Sequence, residues 1–361
     1  MLTSRWLAIV AALLLTSGHA LSLAQDEKLA ITDLSQVDED FAFQGEYVGD
    51  VVVGMRGSVR IGLQVVALGG GKFQAVEYPG GLPADGWIGH GRVPLAGEKN
   101  GSAVRLEGYP LEIVLENGEA HVYYTGGTHT GVLKQVFRVS PTYNLAPACE
   151  ADVLFDGSNT AHFKNGQITP DGLLMVGTET VKGYQNFKLH LEFRLPYMPN
   201  ARGQGRANSG VYLNGRYEVQ ILDSFGLTGE DNEAGGIYRY KRPDVNMCFP
   251  PLAWQTYDIE FHAAKFNAAG QKTDSARLTV VHNGVTIHDN VAVTRKSGGG
   301  AEESPLALPI QLQDHGNPVV FRNIWIVDYD KPIETCCCVC KRRKCCCTSS
   351  VMTLGEYLSN E

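Results

Sequence analysis

NSGVYLNGRYEVQILDSFG, residues 208–226, reads as two short strands folded about Asn214-Gly215, a dipeptide suited to the positive φ values of a tight hairpin turn. Alternation places Tyr217, Val219 and Ile221 on one side of the second strand and Glu218 and Gln220 on the other. Strict alternation would also turn Asp223 toward the apolar side. A buried, unpaired carboxylate is costly, so a one-residue bulge between Gln220 and Asp223 is expected to return the aspartate to the polar face.

The same grammar extends in both directions. Short alternating runs fill residues 30–143, among them SVRIGLQVVAL, KFQAVEY and LEIVLENGEAHVYY, with Asn117-Gly118 as a second hairpin signal. The run SPTYNLAPACEAD, from Ser140 to Asp152, has the composition of a linker. Beyond it, residues 150–328 return to strands and turns, with Asn283-Gly284 as a third hairpin signal and almost no helical periodicity. The class is all-β: a two-sheet sandwich or jelly roll preceded by a small all-β module of unassigned role.

Composition bounds the function. A chain of 361 residues with 43% hydrophobic content can build two cores. Its net charge of -8, with both signs interspersed, offers no basic field for a phosphate backbone, which argues against nucleic acid. Arg5, the apolar run Trp6 to Leu15 and small residues before Ala20 or Ala24 have the layout of a secretory signal over residues 1–24. That run is short for a membrane span, and the expected location is secreted or periplasmic. Seven of the nine cysteines crowd into CCCVCKRRKCCC, within a tail at 331–361 that is expected to be disordered. Cys149 and Cys248 are left either to pair or to remain separate thiols. His282 and His288 flank the third hairpin turn and are expected on solvated strand positions, whereas Trp254 and Trp325 read as core.

The spacing E-x-Q-x-x-D at Glu218, Gln220 and Asp223 resembles the E-x-D-x-x-E element of laminarinase-type retaining glucanases, with an amide at the middle position and a shorter final acid. A retaining pair needs carboxyls about 5 Å apart, which the shorter acid would disturb. A longer series carries a closer likeness: LFDG (154–157), YQNFKLHLEFRL (184–195), NSGVYL (208–213), YEVQILDS (217–224), GGIYRY (235–240), LAWQTYDIEF (252–261), HNGVTIHDN (282–290) and IQLQDHGNPVVFRNIWI (310–326). In this order they resemble the 3-keto-disaccharide hydrolase family, also described as 3-keto-glucoside 1,2-lyase / 3-keto-2-hydroxy-glucal hydratase domains.

That resemblance implies a concanavalin-like jelly-roll sandwich acting on a carbohydrate already oxidised at C3. A C3 ketone acidifies the C2 hydrogen, so a base can remove it and the C1 substituent can depart by β-elimination, with water adding afterwards. Glu218 and His315 are the expected acid/base pair, with Asp223 orienting one of them or holding a divalent cation, which residue spacing alone does not establish. Asn208, Gln220, Tyr238 and Gln313 are candidates for sugar hydroxyls, and Arg322 for the ketone oxygen, although a structural pin is the favoured reading of Arg322. Two other functions stay open: a non-catalytic carbohydrate-binding module, and a conventional glucan glycosidase.

Overall fold

The computed structural model describes residues 28–54, 57–124, 126–331 and 351–352. The signal-like segment and the cysteine run lie outside the described residues. All the described regular structure is strand apart from short 3-10 turns.

Eight strands follow as a meander: β1 (Gly45–Val52), β2 (Ser58–Ala67), β3 (Lys72–Pro79), β4 (Val93–Asn100), β5 (Ala103–Gly108), β6 (Leu111–Glu116), β7 (Glu119–Tyr124) and β8 (Thr128–Arg138). Each pairs antiparallel with the next, and β8 returns to β1, so the sheet closes on itself as a barrel. Closure removes the edges that an open meander would leave unpaired. Tyr47, Leu63, Val65, Phe73, Leu106 and Ile113 fill the interior. The closing seam depends on two glycines. A Cβ on Gly49 would stand 2.4 Å from the Val132 carbonyl oxygen, and one on Gly131 would stand 2.4 Å from that of Asp50.

The chain then adds β9 (Asp152–Phe155), β10 (Phe163–Lys164), β11 (Leu174–Met175), β12 (Thr178–Tyr184), β13 (Asn186–Arg194), β14 (Ser209–Leu213), β15 (Tyr217–Ile221) and β16 (Trp254–His262). A small ribbon of β17 (Lys265–Phe266) and β18 (Lys272–Asp274) precedes β19 (Ala276–His282), β20 (Val285–Val293), β21 (Leu308–Leu312) and β22 (Val320–Asp328). These strands make a five-stranded sheet, β10-β12-β21-β14-β15, and a seven-stranded sheet along β11-β22-β13-β16-β19-β20, with β9 also on β22. Val211, Val219, Ile221 and Ile310 from the first sheet meet Leu189, Leu191, Tyr257, Ile259 and Phe321 from the second in one core. The outward face of the five-stranded sheet is thereby left for polar side chains.

All three Asn-Gly signals lie in turns with positive φ at both residues: 51° and 75° at Asn117-Gly118, 49° and 59° at Asn214-Gly215, 49° and 79° at Asn283-Gly284. The bulge expected after Gln220 is absent. β14 and β15 pair in unbroken register from Ser209↔Ile221 to Leu213↔Tyr217, and the strand simply ends before Asp223. His282 and His288 are corrected as well: both are fully buried, His282 bonding to Gln255 and His288 to the Gly235 carbonyl, and burial lowers His282 to about 3 and His288 to about 4. Cys149 is exposed and Cys248 buried, each a free thiol.

Barrel and sandwich are joined along a broad junction. Val66 of β2 packs into the sandwich core, and Tyr197 and Leu252 of the sandwich join the barrel core. Arg92 donates to the carbonyls of Gly226 and Leu227, and Arg138 lies over the Phe249 ring at 5.1 Å. Ile31 exchanges backbone hydrogen bonds with Tyr197 at 2.9 and 2.8 Å, tying the leading segment across both units.

Candidate active site

The polar face gathers around β14 and β15. Period-two alternation carries Asn208, Gly210 and Tyr212 to the same side as Glu218 and Gln220, while Val211, Val219 and Ile221 go into the core. Gly210 is opposite Gln220, and a Cβ there would lie 2.4 Å from Glu218 Oε1, so the missing side chain makes room for the carboxylate. Tyr212 donates its hydroxyl to Glu218 Oε2 at 2.8 Å. The Gln220 amide, oriented so that its nitrogen meets acceptors, donates to the Ser209 carbonyl at 2.8 Å and to Glu218 Oε1 at 3.1 Å.

A further segment extends the sheet beyond β15. Gln220 N–H donates to the Gly236 carbonyl at 2.9 Å and Tyr238 N–H to the Glu218 carbonyl at 3.0 Å, which sets Tyr238 beside Glu218 on the polar face. Ser297 Oγ accepts from Glu218 N–H at 3.0 Å, and a Cβ on Gly299 would lie 2.5 Å from the Tyr212 hydroxyl. The loop around Gly298–Gly300 thus covers one end of the site, a contact that only a residue without a side chain permits.

Burial decides the electrostatics. Glu218 is 2% exposed, and burial pushes its carboxyl up to about 7 against the opposing effect of the Tyr212 hydrogen bond. Tyr212 is raised far above the usual phenol value, by burial first and then by Glu218. It therefore remains a donor throughout the range in which Glu218 exchanges its proton. Gln313 N–H donates to the Gly210 carbonyl at 2.9 Å, while its side-chain oxygen is buried with no partner among the described residues, leaving an acceptor unmet next to this face.

The remaining expected residues are dispersed. His315 is on an exposed loop and lines a cleft of about 560 Å3 with Gly205, Asn317 and Arg202. Asn317 accepts from Asn208 N–H at 2.8 Å, so the cleft adjoins the Asn208 end of the polar face, but His315 makes no hydrogen bond or ion pair to Glu218 among the described residues. Asp223 departs from expectation: its carboxylate accepts from Arg206 Nε at 2.6 Å, both side chains buried, at the junction with the barrel. That guanidinium competes with any cation for the same oxygens. No group of three or more His, Cys, Asp or Glu side chains able to hold a metal occurs among the described residues.

Arg322 is corrected only as a candidate for the ketone oxygen, and it takes the structural-pin role favoured for it. It belongs to the seven-stranded sheet, where it donates to Glu192 Oε2 at 2.9 Å and stacks on Trp254, with its guanidinium carbon 3.9 Å from the ring centre. It is a structural pin remote from the polar face of the other sheet. Sequence reasoning also missed Tyr212, Gly210 and the Ser297–Gly299 cover. The alternation Asn208, Gly210, Tyr212 could have pointed to the first two; nothing local pointed to the cover.

The fold and site define a class, the all-β glycosyl-hydrolase-like domain. Residues 150–327 match the 3-keto-alpha-glucoside-1,2-lyase-like domain, and this part of the chain belongs to that family. Among solved structures, a protein from Parabacteroides distasonis ATCC 8503, provisionally named a glycosyl hydrolase and solved at 2.13 Å, is 32% identical over 50% of this chain and 84% of its own, with a TM-score of 0.45. A second from the same organism, under the same provisional name and solved at 1.70 Å, is 18% identical over 50% of this chain and 94% of its own, with a TM-score of 0.36. No curated protein matches the chain. Among the described residues no helix is long and apolar enough to cross a membrane.

Proposed function

We propose that the protein is a secreted or periplasmic enzyme that cleaves 3-keto-glycosides on a concanavalin-like jelly roll. The observation that carries this reading is Glu218, a buried carboxyl bonded to Tyr212 and poised near neutrality on the polar face. As the carboxylate, Glu218 takes the C2 proton; the electrons of that bond form the enolate of the C3 ketone and then expel the C1 oxygen. Tyr212 and the Gln220 amide stabilise the carboxylate, and Asn208, Gln313 and Tyr238 meet sugar hydroxyls. His315, at the rim of the adjoining cleft, supplies the proton to the departing oxygen, and a water entering by the same cleft hydrates the product.

Asp223 has no reacting part in this scheme. Paired with Arg206, it anchors the loop that presents Gln204 and Asn208, and its engagement speaks against a conventional two-carboxylate glycosidase. The low exposure of Glu218 favours one second reading, a carbohydrate-binding domain without catalysis.

Offering the purified protein a glucoside and its 3-keto counterpart separates the readings. The enzyme releases aglycone from the ketone alone and exchanges the C2 hydrogen for solvent deuterium. Binding without release or exchange would establish the non-catalytic reading, and consumption of the unoxidised glucoside would establish the glycosidase.

A further inference from the structure

The barrel has no part in the chemistry above, yet its outer wall closes a cavity of about 210 Å3 against the sandwich, with Arg206 and Asp223 on one side and Val66, Val76 and Pro94 on the other. Arg206 is 6% exposed and uses Nε for Asp223, while Nη2 is buried with no acceptor among the described residues. A buried charged donor without a partner is rare in native proteins and calls for a ligand or an ordered water. The cavity is far larger than a single water requires.

The surrounding charge narrows the choice. Arg202 adds a second guanidinium to the wall, its terminal nitrogens already committed to the carbonyls of Pro199, Ala201 and Leu68. Two guanidiniums against the single carboxylate of Asp223 leave one positive charge, which suits a monoanion. The planar guanidinium fits a carboxylate, and the aliphatic wall from the barrel suits a hydrocarbon body, which a strongly hydrated phosphate lacks. We infer that the junction is a second binding site, which takes a small carboxylic acid with its carboxylate on Arg206 and its carbon skeleton against the barrel. The barrel thereby acquires a role: it forms half of a ligand site.

The probe is butanoate, titrated calorimetrically into the full chain, with butanamide as the uncharged isostere and inorganic phosphate as the competing anion. Butanoate should bind saturably, and butanamide and phosphate at least tenfold more weakly. Arg206→Gln should weaken butanoate at least tenfold. Because that change strands Asp223 and could unfold the chain, Gln74→Trp provides the second variant: Gln74 is exposed on the barrel wall of the cavity, and an indole there takes up cavity volume while leaving the Arg206 and Asp223 side chains themselves unaltered. It too should weaken butanoate at least tenfold. Absence of saturable binding, equal binding of butanamide or phosphate, or butanoate binding unchanged by Gln74→Trp would overturn the inference. No arm depends on turnover, so the outcome is independent of the reading of Glu218.

Discussion

At Glu218 burial favours the neutral acid and the Tyr212 hydrogen bond favours the anion; burial wins, and the folded value of about 7 stands above the ordinary 4.5. The consequence for stability has a definite sign. Below pH 4.5 folded and unfolded chains are both protonated and Glu218 carries no penalty; as pH rises through about 7, the unfolded chain has already gained from ionising and stability falls. Glu218→Gln removes that loss, so denaturant unfolding at pH 8 should show a gain of roughly 3 kcal/mol over the native chain, vanishing near pH 4. The same substitution should lower 3-keto-glucoside cleavage about 100-fold or more. Tyr212→Phe deletes a hydrogen bond that lowers the carboxyl, so the ascending limb of the pH–rate profile should move up by about one pH unit. Alternation made the sidedness of Glu218 and Gln220 legible in the sequence. The fate of Asp223 was hidden, because Arg206, its partner, is a loop residue and the strand ends where a bulge was expected.

Between β13, β16 and β22 the linker turns out to be a docked element. Thr142 Oγ1 donates to Asp258 at 2.8 Å, Asn144 N–H to Glu192 at 2.6 Å, and the Leu145 carbonyl accepts from Asn323 and Trp325. Under it, fully buried His190 sits 2.7 Å from Asp258 and stacks on Trp325. Burial alone would lower His190, but Asp258 and Glu192 outweigh it and hold the imidazole above its ordinary value; Glu192, despite its own burial, is lowered by His190, Asn323 and Arg322. The imidazolium contributes its stability fully below about pH 6.5 and loses it as pH rises through the raised folded value. His190→Gln leaves buried Glu192 and partly buried Asp258 short of a cation and should cost about 3–5 kcal/mol. Limited proteolysis checks the location of the effect: new cleavage should fall between residues 140 and 148. Polar residues and two prolines made this stretch read as a loose connector. Its hydrogen-bonding partners lie 48 to 180 positions away, beyond the reach of any local pattern.

For the whole molecule, the junction between barrel and sandwich is the feature on which the two units depend together. Val66 faces outward from the barrel into the sandwich core, and a Cβ on Gly226 would come within 2.6 Å of it, so the two units are in close contact at this point beside the cavity. Val66→Lys places an ammonium in that contact beside the guanidiniums of Arg202 and Arg206, at an expected cost of about 2 kcal/mol or more. Small-angle scattering should then report a larger radius of gyration, while circular dichroism retains the strand signal of both units. The sequence by itself determined the all-β class, the three Asn-Gly hairpins and the family of the second half, since period-two alternation and turn chemistry are local properties that survive reading one segment at a time. Closure of the meander through Gly49 and Gly131, the pairing of Asp223 with Arg206, the burial of His282 and His288 and the placement of Arg322 on the opposite sheet were decided only in the tertiary structure. Each depends on which distant backbone or charge arrives beside a residue, and the long-range contacts that bring them there are selected by core packing across the whole chain.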